Sequence, residues 1–385
     1  MILTTPDSPG LRARYEADRD HPHWVVESIE TPPIAQLVFV HGLCEHAFRF
    51  FPLARWLAAR GIRTALFHQP GHGVPANRAE EFLFLAELYF RSDDPSSILE
   101  GLALLTPSQR ASAAEVQREC YQQMKTIDLE RVVAQTIGTL AQVAKGAEGL
   151  PLLLGGHSLG GLIATIAAAR TEIAELGTAK PENANPESAG TETSETEFGL
   201  AGVFLSSPAL RARGSLRGGK LEQCFVDFSF ALGKSPIFWP LHRAFGWLAR
   251  LNWPIGVGWA SGSISDITAE GTLHAEDPLI LEKVPSGYLA RIQSLMIEAA
   301  RLAREYPVHS AIYAAEDDRI VHTEGTATFA ALAQANHPQE HTRLEFFDAF
   351  FPHDLLRSSA REQVLASLEP WLEAAIGRKL VAPSS

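Results

Sequence analysis

The chain has 385 residues, of which 46% are hydrophobic and 20% charged, and carries a formal net charge of −12. Such a composition can build a large core without cross-links, and Cys44, Cys120 and Cys224 are too scattered for a metal or redox motif, which points to a reducing compartment. The acidic balance argues against nucleic acid as a partner. No signal-peptide run and no stretch of eighteen apolar residues occurs, so the expectation is a cytoplasmic protein, with peripheral contact to a membrane left open.

In chain order, residues 24–29 read as an early strand and 35–40 as a buried one that ends in the loop His41-Gly42-Leu43-Cys44-Glu45-His46. Residues 47–60 space Phe50, Leu53, Ala54, Leu57 and Ala58 along one helical face, and Gly61 stops that helix. A strand at 63–67 runs into a second loop, His68-Gln69-Pro70-Gly71-His72-Gly73. Strand, helix and strand within about thirty residues predict parallel βαβ winding. Residues 80–125 exceed what a crossover needs and read as an insertion near the site. Short helices are expected there at 81–90 and 111–125, with breaks at Asp93-Asp94-Pro95 and Thr106-Pro107. An amphipathic helix over 128–145 then leads to the apolar run Leu152-Leu153-Leu154.

Residues 171–199 hold seven glutamates against one lysine and almost nothing apolar after Leu176. That composition cannot bury enough surface to offset its ordering entropy, so a disordered, solvated loop is expected. A strand returns at 201–206, after which the βα rhythm disappears. Trp239, Trp247, Trp253 and Trp259 lie here among Phe225, Phe228, Phe230, Phe238 and Phe245, which predicts a helical cap with a helix over 241–251. Its aromatic residues suit the cap's own core and equally an acyl chain or a lipid surface. Arg211, Arg213, Arg217 and Lys220 read as a solvated basic loop, with a phosphate headgroup as the second reading. A strand at 308–313, a helix at 324–334, a strand at 343–347 and a helix at 360–376 complete the chain.

The chemistry centres on Gly156-His157-Ser158-Leu159-Gly160-Gly161, set between the apolar run and the alanine-rich helix that opens at Leu162. Strand, tight turn around one serine, and helix are the setting of a nucleophile elbow, with glycines where a Cβ would collide. A serine nucleophile needs a base and a group to orient that base. Both are expected after later strands, first the acid and then the histidine. His353, in Phe350-Phe351-Pro352-His353-Asp354-Leu355-Leu356, is the candidate base. For the acid, Asp318 precedes Arg319-Ile320-Val321, with Asp317, and then Glu316 or Asp277, as alternatives. The oxyanion would be received by the backbone N–H groups of Leu159 and Leu43.

Taken together, His41-Gly42-Leu43-Cys44-Glu45-His46, Pro70-Gly71-His72-Gly73, Gly156-His157-Ser158-Leu159-Gly160-Gly161, Ser207-Pro208, Asp318-Arg319-Ile320-Val321 and His353-Asp354-Leu355-Leu356 resemble the monoacylglycerol lipase and lysophospholipase branch of the α/β-hydrolases, which is also likened to serine aminopeptidases. The second loop departs from the family pattern, with His68 and Gln69 where an aspartate and a histidine are usual. The resemblance implies an α/β-hydrolase fold with a mostly parallel central sheet and a helical cap inserted after the sixth core strand. The first part of the core would cover 24–210, the cap 211–306 and the second part of the core 307–378. It also implies a serine esterase or lipase that needs no metal or cofactor and takes a small-molecule lipid ester, a monoacylglycerol or lysophospholipid, as substrate. The rival readings are a peptidase or amidase, with Glu222, Asp227 and Asp266 available to bind an amine, and a non-catalytic binder.

Overall fold

The computed structural model describes residues 1–5, 8–146, 149–177, 199–212, 252–256, 264–306, 308–336, 342–348 and 352–382. Most of the acidic loop, the expected cap helix over 241–251, Trp239, Trp247, Trp259, Arg213, Arg217, Lys220, Glu222 and Asp227 lie outside the described residues.

The strands in chain order are β1 (Ile2–Thr5), β2 (Ser8–Glu16), β3 (His23–Ser28), β4 (Ala35–Val40), β5 (Ile62–Leu66), β6 (Leu152–His157), β7 (Leu200–Ser206), β8 (Pro254–Gly256), β9 (Lys283–Pro285), β10 (Ser310–Ala315) and β11 (Thr342–Phe347). Nine of them form one sheet in the order β1-β2-β3-β5-β4-β6-β7-β10-β11. From β5 to β11 every pairing is parallel, while β1, β2 and β3 join antiparallel. Leaving aside the edge strand β1, β7 is the sixth strand of this sheet. Strands β4, β6 and β10 are buried at every residue, as a parallel sheet covered on both faces requires.

The helices are α1 (Phe51–Ala58), α2 (Leu83–Arg91), α3 (Pro95–Ala103), α4 (Pro107–Thr126), α5 (Leu129–Lys145), α6 (Leu159–Gly177), α7 (Thr268–Glu276), α8 (Ser286–Leu302), α9 (Thr323–Asn336) and α10 (Arg361–Ile376). Helix α5 packs on α6 and β4, and α6 packs on β6 and β7. Among the described part of the expected cap, α8 lies against α6 and the short ribbon β8–β9 stands apart from the main sheet.

Three differences from the sequence reading have physical causes. Strands β1 and β2 pair antiparallel and extend the sheet ahead of residue 24. Strand β2 alternates Leu11, Ala13 and Tyr15 with Arg12, Arg14 and Glu16, a period of two that the charges mask. Glu27 on β3, only 4% exposed, ties this edge together. It accepts from Arg12 Nε at 3.0 Å, Arg12 Nη2 at 2.7 Å and Arg14 Nε at 3.0 Å, and pairs with Arg63 Nε at 2.8 Å.

Second, the breaks expected at Pro95 and Pro107 are helix starts. Asp94 caps α3 through the N–H groups of Ser96 and Ser97, and Thr106 forms a capping box with Gln109 at α4, each cap followed at once by its proline. Third, the strand expected at 308–313 begins two residues later, at Ser310.

Candidate active site

Ser158 follows the last residue of β6 with φ at +53°, in the left-handed region that a side chain adopts at a cost. Its backbone is held from three sides. The N–H donates to the Ser206 carbonyl at 3.0 Å, and the carbonyl accepts from Leu162 at 3.1 Å and Ala209 at 2.9 Å. The glycines are steric requirements: a Cβ on Gly160 would stand 2.1 Å from the Val40 carbonyl oxygen, and one on Gly156 2.3 Å from that of Gly160. The strand–turn–helix therefore closes only with hydrogen at both positions.

The structure brings Ser158, His353 and Asp318 together from three separate loops. His353 Nε2 lies 2.8 Å from Ser158 Oγ, and His353 Nδ1 lies 2.6 Å from Asp318 Oδ2. With the ring proton on Nδ1 and directed at the carboxylate, Nε2 is left to accept from the serine hydroxyl. The other oxygen of Asp318 accepts the N–H groups of Ile320 at 2.7 Å and Val321 at 3.0 Å. All three residues are buried. Burial raises the cost of charge on Asp318, yet His353 and these N–H donors hold its carboxyl below the usual range. Burial also works against an imidazolium at His353, but the facing carboxylate lifts its pKa above the ordinary 6.5.

The alternative acids are elsewhere. Glu316 and Asp317 are exposed on the loop after β10. Asp277 is buried against His46, whose Nε2 lies 2.7 Å from its Oδ2. Asp266, the described member of the acids weighed for binding an amine, accepts from the N–H of Ser359 at 3.0 Å and from the Ser359 hydroxyl.

Leu159 opens α6, so its N–H is one of the first four that have no partner within a helix. Neither it nor the N–H of Leu43 meets an acceptor among the described residues. A small cleft beside Ser158 is lined by Gly42, Leu43, Glu45, His157, Ile264, His274 and His353. Gly42 N–H donates to Glu45 Oε2 at 3.0 Å, which folds the loop of Leu43 back on itself around the left-handed Cys44 at φ +65°.

Beside this cleft lies a polar group whose roles the sequence reading missed. Arg49, 1% exposed, sits 3.5 Å from Glu45 Oε1 and 3.9 Å from Asp354 Oδ2. Among the described residues, its guanidinium nitrogens, Nδ1 of His157 and both oxygens of Asp354 have no hydrogen-bond partner. Burial and the Glu45 carboxylate push Asp354 up, and burial pulls His157 down to about 4, so both tend to the neutral form. Glu45, His157 and Asp354 bring one donor atom each within 4.8 Å of one another, a spacing open to a metal ion. The guanidinium between the two carboxylates already supplies the positive charge, which disfavours a cation there. The available signals were Arg49 four residues after Glu45 in the first loop, and an acid directly after His353.

A family model described as the alpha/beta hydrolase family matches residues 37–353. Among solved structures, a soluble variant of monoglyceride lipase from Saccharomyces cerevisiae in complex with a substrate analog aligns with a TM-score of 0.60 at 15% identity, over 94% of this chain and 95% of that one. The monoacylglycerol lipase of Paleococcus ferrophilus aligns at 0.53 and 16% identity, over 89% and 96%. A thermostable carboxyl esterase from Bacillus coagulans in complex with glycerol aligns at 0.51 and 17% identity, over 95% and 99%. At these identities the likeness is one of fold. No curated protein matches the chain by sequence.

Proposed function

The chain belongs to the alpha/beta hydrolase family, and on that basis we propose that it is a serine hydrolase that cleaves carboxylic esters of monoacyl lipids, monoacylglycerols or lysophospholipids, through an acyl-enzyme. The observation that supports this is the buried relay from Ser158 Oγ to His353 at 2.8 Å and on to Asp318 at 2.6 Å. In the proposed cycle His353 Nε2 takes the hydroxyl proton as Ser158 Oγ attacks the ester carbonyl carbon. The oxyanion that forms is received by the N–H groups of Leu43 and Leu159, each such donor being worth about 3 kcal/mol in the transition state. His353 gives its proton to the departing alcohol, leaving Ser158 acylated. Water then attacks, its proton passing to His353 and back to Ser158 as the fatty acid leaves. Asp318 keeps the imidazole oriented and stabilises its charged form throughout.

The choice of alcohol is supported by polar atoms of Arg49, His157 and Asp354 that have no hydrogen-bond partner among the described residues, His157 itself lining the cleft. A hydroxyl-rich leaving group could satisfy both donors and acceptors there, whereas a plain alkyl alcohol would leave them buried and unmatched. The aromatic-rich segment assigned to the cap, 211–306, would receive one acyl chain, and exposed Trp253 and Ile255 support peripheral contact with a lipid surface. No helix among the described residues is long and apolar enough to cross a membrane. The test is a substrate panel of monoacylglycerol, lysophospholipid and aminoacyl-amide, run beside fluorophosphonate labelling. Turnover of the first two, abolished together with labelling in Ser158→Ala, is expected. Preference for the amide, or no labelling at Ser158, would overturn the reading.

A further inference from the structure

The insertion over residues 80–125 holds no residue of the reacting cluster, yet one of its side chains reaches the loop that carries Leu43. We propose that Tyr89 and Asp277 are positioning residues for the oxyanion loop, acting through His46. The inference rests on the serine-hydrolase reading above.

Asp277 lies in the turn after α7 and is 3% exposed. Its Oδ1 accepts from Leu279 N–H at 2.8 Å. Its Oδ2 accepts both His46 Nε2–H, at 2.7 Å, and the hydroxyl of Tyr89 on α2. Burial alone would neutralise this carboxyl, but His46 and the other donors hold it ionised, well below the usual carboxylate range. The His46 ring lies edge-on to both Tyr89 and Phe48, at centroid distances of 5.4 and 5.6 Å. Among the described residues its Nδ1 has no hydrogen-bond partner, so the bond to Asp277 is the polar contact there that sets its rotation.

The same turn grips the loop a second time, because Leu281 N–H donates to the Cys44 carbonyl at 3.1 Å. The residues flanking Leu43 are thus fixed from three directions. Gln69 bonds His41 at one end, Leu281 holds left-handed Cys44, and Asp277 holds His46 at the other end. The turn is in turn held by the insertion. Tyr89 binds Asp277, and Gln117 Nε2 on α4 donates to the Ile280 carbonyl at 2.6 Å. A strained loop whose amide must face a developing charge depends on such pins, since a small rotation at Leu43 misdirects the N–H without emptying the site.

The experiment uses the full-length protein, a short-chain p-nitrophenyl ester, and a trifluoromethyl ketone that forms a hemiketal with Ser158 and so requires the oxyanion donors. In Tyr89→Phe, which removes one oxygen and keeps the ring, kcat is expected to fall about tenfold with KM within about twofold. In Asp277→Asn the fall is expected to reach about a hundredfold. Affinity for the ketone should drop in the same ratio as kcat, because both report transition-state complementarity. If Asp277→Asn does not fold, Tyr89→Phe decides. Wild-type kcat and ketone affinity in folded Tyr89→Phe, or a loss confined to KM or Tm, would overturn the inference while leaving the ester-hydrolase reading intact. Wild-type protein without Ser158-dependent ester turnover would remove both.

Discussion

His353 and Asp354 are adjacent in the chain and have opposite electrostatic fates. The imidazole of His353 sits against an ionised carboxylate and is pulled toward its charged form, while the carboxyl of Asp354 finds no hydrogen bond among the described residues and is pushed toward its neutral one.

The base at the centre of the proposed reaction must be neutral before attack. The pKa of His353 is held above its ordinary 6.5, so kcat/KM should rise with pH through that raised value and fall on its acid side. Asp318→Asn removes the carboxylate that raises it and leaves burial, which lowers it. The acid limb should then move to lower pH while kcat drops about ten-thousandfold. A pH–rate series on the two proteins checks both, and an unmoved limb would show that Asp318 does not set the base.

Asp354→Leu exchanges one of the two buried carboxyls that face Arg49 for an apolar side chain of similar size. Stability is expected to fall by about 3 kcal/mol, read by thermal melting, because the buried Arg49 guanidinium loses one of its two facing carboxylates. The ratio of kcat/KM for a monoacylglycerol to that for a p-nitrophenyl ester of the same acyl chain should fall about tenfold. A ratio that does not change would mean the polar group beside Ser158 takes no part in recognising the alcohol.

Gly160→Ala should prevent the elbow from closing, with a loss of about 3 kcal/mol or failure to fold, because the new methyl would overlap the Val40 carbonyl. Gly256→Ala is the matched control, with nothing within 4 Å of its Cβ, and should melt within about 0.5 kcal/mol of the wild type.

Glu27→Gln should destabilise the antiparallel edge by about 2 kcal/mol at neutral pH. Burial works to raise the pKa of Glu27, but Arg12, Arg14 and Arg63 hold it below its ordinary 4.5 in the folded chain. The carboxylate's contribution is therefore complete above about 4.5 and is lost as pH falls through the lower folded value. Melting curves of the two proteins should converge in acid, and a gap that persists there would rule out a charge effect.

The parallel half of the fold is legible in the sequence because buried strands announce themselves as short apolar runs bounded by glycine loops, and residues 35–40 and 152–157 are of this kind. Ser158, Asp318 and His353 stand out for a related reason, since each follows such a run in a recognisable motif. Strand β2 escapes notice because Arg12, Arg14 and Glu16 dominate its composition, although Glu27, the partner of the two arginines, is on the neighbouring strand. Pro95 and Pro107 look like breaks because proline ends one helix and begins another with equal ease, and the preceding Asp94 and Thr106 decide which. Arg49 and Asp354 carry only the weak signals of their positions after Glu45 and His353, which do not tell a buried charge from a solvated one. Asp277 was considered for the wrong partner: its type and burial suit a histidine, and in the folded chain that histidine is His46.

Leu281 pins Cys44, and Asp277 pins His46, across more than two hundred intervening residues. During synthesis the serine-bearing elbow would leave the ribosome long before the turn that braces its neighbouring loop, and longer still before the imidazole. A growing chain would therefore carry an inert hydroxyl until almost the last helix has been made.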